Sequence, residues 1–185
     1  MVQILDDRRK FVRRTSLERD HPDCQRATVK YPTKVMVWSV ISCKGTGRLE
    51  IVRGMMNQVE YRRIIDKRLV PQLREWFPEN DCIFMQDGAP CHRARKIMEH
   101  FRELGYRVLD WPGNSPDMNP IEGLWNDLKD EMSKIVSTNK KDLIARLIDV
   151  WHHNPRMEEL AQSYIEGMPK RVAAVIAAKG GCTKY

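Results

Sequence analysis

No stretch of this sequence approaches the roughly 18 consecutive apolar residues that a membrane-spanning helix requires, so the reading contains no membrane partner. Met1–Leu5 does not open a signal peptide either. It runs straight into Asp6, Asp7, Arg8, Arg9 and Lys10, where an apolar segment would be needed. Cysteine is sparse: the five residues Cys24, Cys43, Cys82, Cys91 and Cys182 are odd in number and far apart. None forms a C-x-x-C pair, so neither a disulfide framework nor a zinc site is supported. A reducing compartment, cytosol or nucleus, is the simpler reading. No internal repeat and no low-complexity tract is present. What is there is a chain of 185 residues, enough for one domain with a buried core. With 42% hydrophobic and 31% charged residues the composition is globular rather than disordered. The net charge of +7 suggests a polyanionic partner, although many ordinary soluble proteins share that balance.

Local patterns predict an α/β chain. Val35–Ile41 is an apolar, β-rich run stopped by Gly45 and Gly47, and the alternating Arg48–Val52 follows, so the two read as neighbouring strands joined by a glycine turn. Asn57 and Glu60 have the spacing of a capping box, and Tyr61, Ile64, Ile65 and Leu69 keep helical spacing as far as Pro71, which should kink or end that helix. Asp81–Gln86 reads as a buried strand ending at Asp87. A helix should follow through Phe101, closed by Gly105, and then a strand over Tyr106–Leu109. Trp111–Pro120 holds three prolines, one glycine and two asparagines and is a loop. Pro120 then takes the first position of a helix with an apolar stripe of Ile121, Leu124, Trp125, Leu128 and Met132. The remainder is predicted helical, broken at Asn154–Pro155 and at Gly167–Pro169, with a final stop at Gly180–Gly181. The order of elements implies a mixed sheet flanked by helices in a single domain over 1–185. A basic lead-in over 6–34 carries nine Lys/Arg against five Asp/Glu.

Two carboxylates stand out by position. Asp87 lies where a buried strand ends, the side of an open α/β sheet on which ligands gather. Glu122 lies in the first turn of the helix that follows the proline-bracketed loop. Converging, they would suit divalent metal ions, because hard Mg²⁺ or Mn²⁺ takes oxygen ligands. Two such ions assist phosphodiester attack. The plainer reading is that Asp87 is a turn residue before glycine and Glu122 a capping-box glutamate three residues after Asn119.

The surrounding residues favour the first reading. Phe84-Met85-Gln86-Asp87-Gly88-Ala89-Pro90-Cys91-His92 resembles the Q-D-N-A-P-x-H segment of mariner-superfamily DNA transposases. Trp111 to Trp125 resembles their W-P-x-x-S-P-D-L-N-P-I-E-x-L-W segment, and the 34 residues between Asp87 and Glu122 match the interval of the Tc branch. Val35–Trp38 and Gly180–Tyr185 extend the match over nearly the whole chain. The resemblance implies a ribonuclease H-like fold and metal-dependent DNA strand cleavage and transfer, with DNA as partner, the nucleus as location and no small-molecule cofactor. A homodimer is left open as the assembly. Asp87 and Glu122 would be the second and third of the family's three metal-binding acids, their carboxyl carbons within about 8 Å of each other. Gly88 departs from the family's asparagine.

By the same resemblance His92 either touches a phosphate or steadies the site, the plain alternative being an exposed histidine at a helix start. Asn119 and Asp117 should shape the loop and cap the helix. Trp111 and Trp125 are expected as core or loop anchors, and His152–His153 has no metal-ligand spacing. Arg8, Arg9, Lys10, Arg13 and Arg14 either track a DNA backbone or form a solvated face. Two family features are not found in these residues: the N-terminal pair of helix-turn-helix modules, and the D-E-S-x-F motif that places the first aspartate on the central strand. Gln3–Arg14 resembles the segment just after that motif, so the first central strand is expected to be missing or incomplete and cleavage impaired. A non-catalytic DNA-binding or interaction protein derived from a decayed transposon is the alternative.

Overall fold

The computed structural model describes residues 2–5, 34–111, 118–135, 137, 139–181 and 183. Among the described residues seven short strands come first to last as β1 (Val2–Leu5), β2 (Lys34–Trp38), β3 (Ile41–Ser42), β4 (Gly45–Thr46), β5 (Glu50–Val52), β6 (Ile83–Phe84) and β7 (Arg107–Val108). The helices are α1 (Gln58–Ile64), α2 (Val70–Trp76), α3 (Pro90–Arg93), α4 (Arg95–Glu103), α5 (Pro120–Ser133), α6 (Lys140–His153), α7 (Pro155–Glu166) and α8 (Met168–Ala177). No helix among the described residues is long and apolar enough to cross a membrane.

β2 organises the molecule. It pairs antiparallel with β1 on one edge and with β5 on the other. Its side chains alternate between two cores, as the pleat requires. Val35 and Val37 pack with Leu124, Trp125, Leu128 and Met132 of α5, Leu147 and Trp151 of α6, and Met157 of α7. Met36 and Trp38 face the other way, toward Tyr61, Ile64, Ile65, Leu69, Phe84, Ile97 and Phe101. One sheet with helices on both faces is the layered α/β architecture that the order of elements implied. The two cores are also tied by a polar bond, Trp151 Nε1 donating to Gly47 O at 2.8 Å, and within the first core Trp125 stacks on Trp151 with ring centroids 4.9 Å apart.

Several local expectations are corrected. The Val35–Ile41 run is two strands, not one. The chain turns after Trp38, where the buried Ser39 Oγ donates to the carbonyls of Gly47 and Arg48, and β3 and β4 form their own small hairpin before β5 rejoins β2. Pro71 does not end its helix. A π-turn over Ile65–Leu69, with the Val70 N–H bonded to Ile65 O, links α1 to α2, and Pro71 sits in the first turn of α2. The wider turn leaves room for the ring and has no need of the N–H that proline lacks. Asn57 caps α1 through the N–H groups of Val59 and Glu60, but the Glu60 side chain bonds Arg63 instead of closing a capping box. The helix after Asp87 is interrupted at Ala94, whose extended backbone separates α3 from α4, and it ends at Gly105, where φ is +77°.

The sheet is less continuous than expected. β6 and β7 form a parallel pair of their own, and among the described residues no ladder links it to β1. The Val2–Leu5 segment is therefore a real strand of four residues, standing at the edge of β2 where the central strand was expected to be incomplete. In the C-terminal half the breaks fall where proline and glycine placed them. α5 begins at Pro120, α6 stops before Asn154–Pro155, α7 stops at Gly167, and α8 is closed ahead of Gly180. Cys43, Cys82 and Cys91 are free. The lead-in at 6–33, with Arg8, Arg9, Lys10, Arg13 and Arg14, and the loop residues 112–117 lie outside the described residues.

Candidate active site at the end of the parallel strand pair

The β6–β7 pair is short because its edges are stopped on both sides. Asn80 and Asp81 precede β6, and Gly88 and Pro90 follow within a few residues. The chain therefore leaves β6 through Met85 and Gln86 with Asp87 at the rim. Asp87 Oδ1 accepts the Ala89 N–H at 3.0 Å, an Asx turn that delivers Pro90 to the first turn of α3. One turn of helix then brings His92 back over the carboxylate, and its Nδ1 lies 2.6 Å from the same Oδ1. The hydrogen bond from His92, opposed in part by burial and helped by the Ala89 N–H, lowers the Asp87 carboxyl to about 2. An ionised carboxylate only accepts, so Nδ1 is the donor.

His92 is 4% exposed, so the plain alternative of an exposed histidine at a helix start does not hold. Its burial comes from an element far away in sequence. Tyr61 of α1 lays its ring over the imidazole at 4.2 Å between centroids, tilted by 36°. Gln86 joins the two: it accepts the Tyr61 hydroxyl at 2.7 Å and donates to the His92 carbonyl at 3.2 Å. Burial first, and then the Asp87 charge, push the Tyr61 phenol well above its usual range, so it serves as a protonated donor. Sequence reasoning missed Tyr61 and Gln86. Tyr61 passes as one residue of an apolar helical stripe. The signals from Gln86 were a polar side chain at the end of an apolar strand run and its place at the head of the Q-D-N-A-P-x-H resemblance.

Asp87, Gln86, His92 and Tyr61 line a cavity of about 330 Å³, and Asn119, Pro120 and Ile121 line it too. The start of α5 thus stands against the same space as Asp87. Glu122, next in the chain, is half-buried, and its side chain makes no hydrogen bond or ion pair among the described residues. Asn119 occupies the N-cap position without a side-chain cap bond, contrary to expectation. Of the two N–H groups that an N-cap side chain serves, that of Glu122 is taken by Asn119's own carbonyl at 3.1 Å. Trp125 is fully buried, as an anchor should be, and Trp111 is half-buried.

The ligand types suit a hard divalent cation. Asp87 spends Oδ1 on His92 and Ala89, its side chain is 43% exposed, and among the described residues no donor reaches Oδ2. Glu122 offers a second free carboxylate. A histidine holding the far oxygen of a ligating carboxylate is the usual outer support of such a site. Among the described residues no three His, Cys, Asp or Glu side chains are gathered closely enough to hold a metal ion by themselves.

A family profile described as "DDE superfamily endonuclease" matches residues 8–144, a span that contains Asp87, His92 and Glu122. The chain belongs to the DDE endonuclease superfamily. Within it this DDE-family chain is a homologue of Tc1/mariner transposases. It is 33% identical over 177 residues to the transposable element Tcb1 transposase of Caenorhabditis briggsae, covering 95% of this chain and 64% of that one. It is 32% identical over 183 residues to the transposable element Tc1 transposase of Caenorhabditis elegans, covering 97% and 65%. The DDE-family chain therefore spans about two-thirds or slightly less of the length of these curated relatives. Among solved structures, the mariner Mos1 paired end complex with Mg superposes with a TM-score of 0.78 at 20% identity, over 99% of this chain and 55% of that one. The fold is the ribonuclease H-like one of that transposase's catalytic domain.

Proposed function

We propose that this domain carries out metal-dependent cleavage and transfer of DNA strands in DNA transposition, with Asp87 and Glu122 as its metal-holding acids. The observation that carries the reading is Asp87 itself. It is a carboxylate held ionised by His92 and the Ala89 N–H, with one oxygen unpartnered among the described residues, and it lines a cavity that the start of α5 lines too. Glu122 is the next residue in the chain, and its carboxyl carbon is proposed to come within about 8 Å of that of Asp87, the reach of a shared two-ion site. A bound Mg²⁺ or Mn²⁺ would supply Lewis acidity for attack on the phosphodiester and would steady the leaving oxygen. The chain's own residues do the positioning. His92 fixes the rotamer of Asp87, Gln86 and Tyr61 fix His92, and Pro120 fixes the backbone from which Glu122 projects.

DNA as substrate places the activity in the nucleus. The basic lead-in residues Arg8, Arg9, Lys10, Arg13 and Arg14 are proposed to track its backbone. A homodimer is the assembly in which two transposon ends would be held together. Two carboxylates bring two negative charges to as many as four positive ones, so cleavage by this 185-residue polypeptide is expected to be weak. The test therefore has two readouts, Mn²⁺ affinity by titration and nicking of supercoiled plasmid with Mg²⁺ or Mn²⁺. Asp87→Ala and Glu122→Ala should each lower Mn²⁺ affinity at least about tenfold and abolish whatever nicking the parent shows. Equal Mn²⁺ affinity in the parent and both variants would sink the assignment.

A further inference from the structure

The elbow between α3 and α4 carries a cluster of cations that the site described so far does not use. Arg93, Arg95 and Lys96 are all exposed, and Arg95 is 86% so. The side chains of Arg93 and Lys96 have no hydrogen bond or ion pair among the described residues, and the one side-chain partner of Arg95 there is Glu99 at 3.7 Å. The arginines that serve the fold look different. Arg63 and Arg68 clamp Glu50 at 2.6 Å, Arg146 is bonded to the Ile135 carbonyl at 2.6 Å, and Arg156 is bonded to Glu131 at 3.0 Å. The elbow cations hold nothing in the chain together.

The placement of Arg95 and Lys96 also works against the helix they begin. α4 starts at Arg95, has no acidic residue in its first turn and no side-chain cap. Cations at that end oppose the helix dipole, which favours negative charge there. Arg95 and Lys96 at the unfavourable end of α4, and Arg93 at the close of α3 just before it, make no side-chain hydrogen bond or ion pair among the described residues beyond Arg95 with Glu99, and are placed for an anion outside the chain. The position tells which anion. Arg93 is the neighbour of His92, whose ring touches Asp87 at 2.6 Å, so the Arg93 backbone stands within about 10 Å of that carboxylate, summing one Cα step and one imidazole side chain.

We propose that Arg93, Arg95 and Lys96 form a DNA-backbone clamp beside the acid site, holding phosphates that flank the one presented to Asp87. The clamp rests on the DNA-cleaving function proposed above. It is sequence-indifferent, because exposed guanidinium and ammonium groups at a rim meet phosphates rather than base edges.

The experiment measures duplex DNA affinity across a salt series for the full 185-residue chain, for Arg93→Gln/Lys96→Gln, and for Arg8→Gln/Arg9→Gln/Lys10→Gln in the lead-in. Each phosphate that is no longer neutralised lowers the slope of log K against log salt by about 0.9, so the elbow variant should have a slope shallower by about 2 and bind about tenfold or more weakly at low salt. Its melting temperature should hold or rise, because one charge leaves the wrong end of α4 and the Arg93 side chain holds no partner among the described residues. The charge-keeping Arg93→Lys/Lys96→Arg should retain the parental slope, which separates charge from shape. A parent that binds DNA alongside an elbow variant with unchanged slope and affinity overturns the clamp and leaves DNA binding to the lead-in or elsewhere. A parent that binds no DNA even at low salt removes both the clamp and the proposed function.

Discussion

At the scale of single residues, two carboxylates show how differently the same group is used. Asp87 keeps one oxygen for its supports and leaves the other open, which suits a ligand. Glu50, at the start of β5, is buried and spends both oxygens inside the protein: Oε1 on Arg63 and Oε2 on Arg68, each at 2.6 Å. Burial alone would raise its pKa, but the two guanidinium bonds and their charges outweigh it and lower the carboxyl. The sign of the pH effect follows. A folded-state pKa below the unfolded one contributes stability that is complete above the unfolded value near 4.3, and that is lost as pH falls through the folded value. Glu50→Gln is therefore expected to cost on the order of 1–3 kcal/mol at neutral pH. It should also flatten the acid side of the stability profile between about pH 4.5 and the lower folded value. Urea unfolding at stepped pH checks both. Parent and variant curves running parallel through the acid range would show that Glu50 is not what titrates.

At the scale of elements, the site depends on how closely α5 sits on α7. Gly123 follows Glu122, and a Cβ built there would lie 2.7 Å from Cε1 and Cζ of Tyr164. That ring cannot easily step aside. Its hydroxyl donates to Asp127 at 2.8 Å, and Arg171 lies over its face at 5.3 Å from the centroid. Alanine gains about 1 kcal/mol over glycine in a helix interior, whereas overpacking costs about 1–3 kcal/mol. Gly123→Ala is expected to be net destabilising in chemical denaturation and to weaken Mn²⁺ binding, because the turn that bears Glu122 is the one displaced. A variant as stable as the parent would mean that Tyr164 yields freely. The π-turn belongs to the same scale. It lets α1 and α2 continue as one packed rod past Pro71, and its Asp66 accepts a 2.6 Å bond from the buried His100 Nε2 of α4. The rod that carries Tyr61 is thereby anchored to the helix that follows the acid.

Across the whole molecule, one strand serves two cores, so neither core should unfold alone. Trp38 and Trp76 report on one core, Trp125 and Trp151 on the other. Fluorescence and far-ultraviolet circular dichroism should give coincident denaturation curves, as a single cooperative unit requires. Trp151→Phe removes the bond to Gly47 O, which joins residues 104 apart in sequence. The Gly47 carbonyl keeps a weaker donor in Ser39 Oγ at 3.3 Å, so the variant forgoes one bond and some packing but strands no acceptor. The expected cost is on the order of 2 kcal/mol, with the two probes still coincident. Probes that separate in the variant would show two units held together mainly by this bond.

What the chain's order of residues determined by itself lies mostly in its second half and at its punctuation. Pro120, Pro155 and the Gly167–Pro169 break placed α5, α7 and α8 because a missing N–H or a permissive backbone acts within a few residues. The stripe from Leu124 to Met132 told which face of α5 is buried, because helical periodicity is local too. Asp87 at the rim of a strand was legible for the same reason, and the long motifs around Asp87 and Glu122 named the family. Only the tertiary structure decided the rest. Strands of two residues, such as β6 and β7, exist through their partner and not through their own propensity, so their extent was not readable from their residues. The helix through Pro71 survives because α4 packs on a turn widened to admit it. His92 became a buried support because Tyr61, far earlier in the chain, closes over it, and Gln86 acquired a role only when both were in reach. Each of these depends on contacts between segments distant in sequence, which form only when the chain has folded.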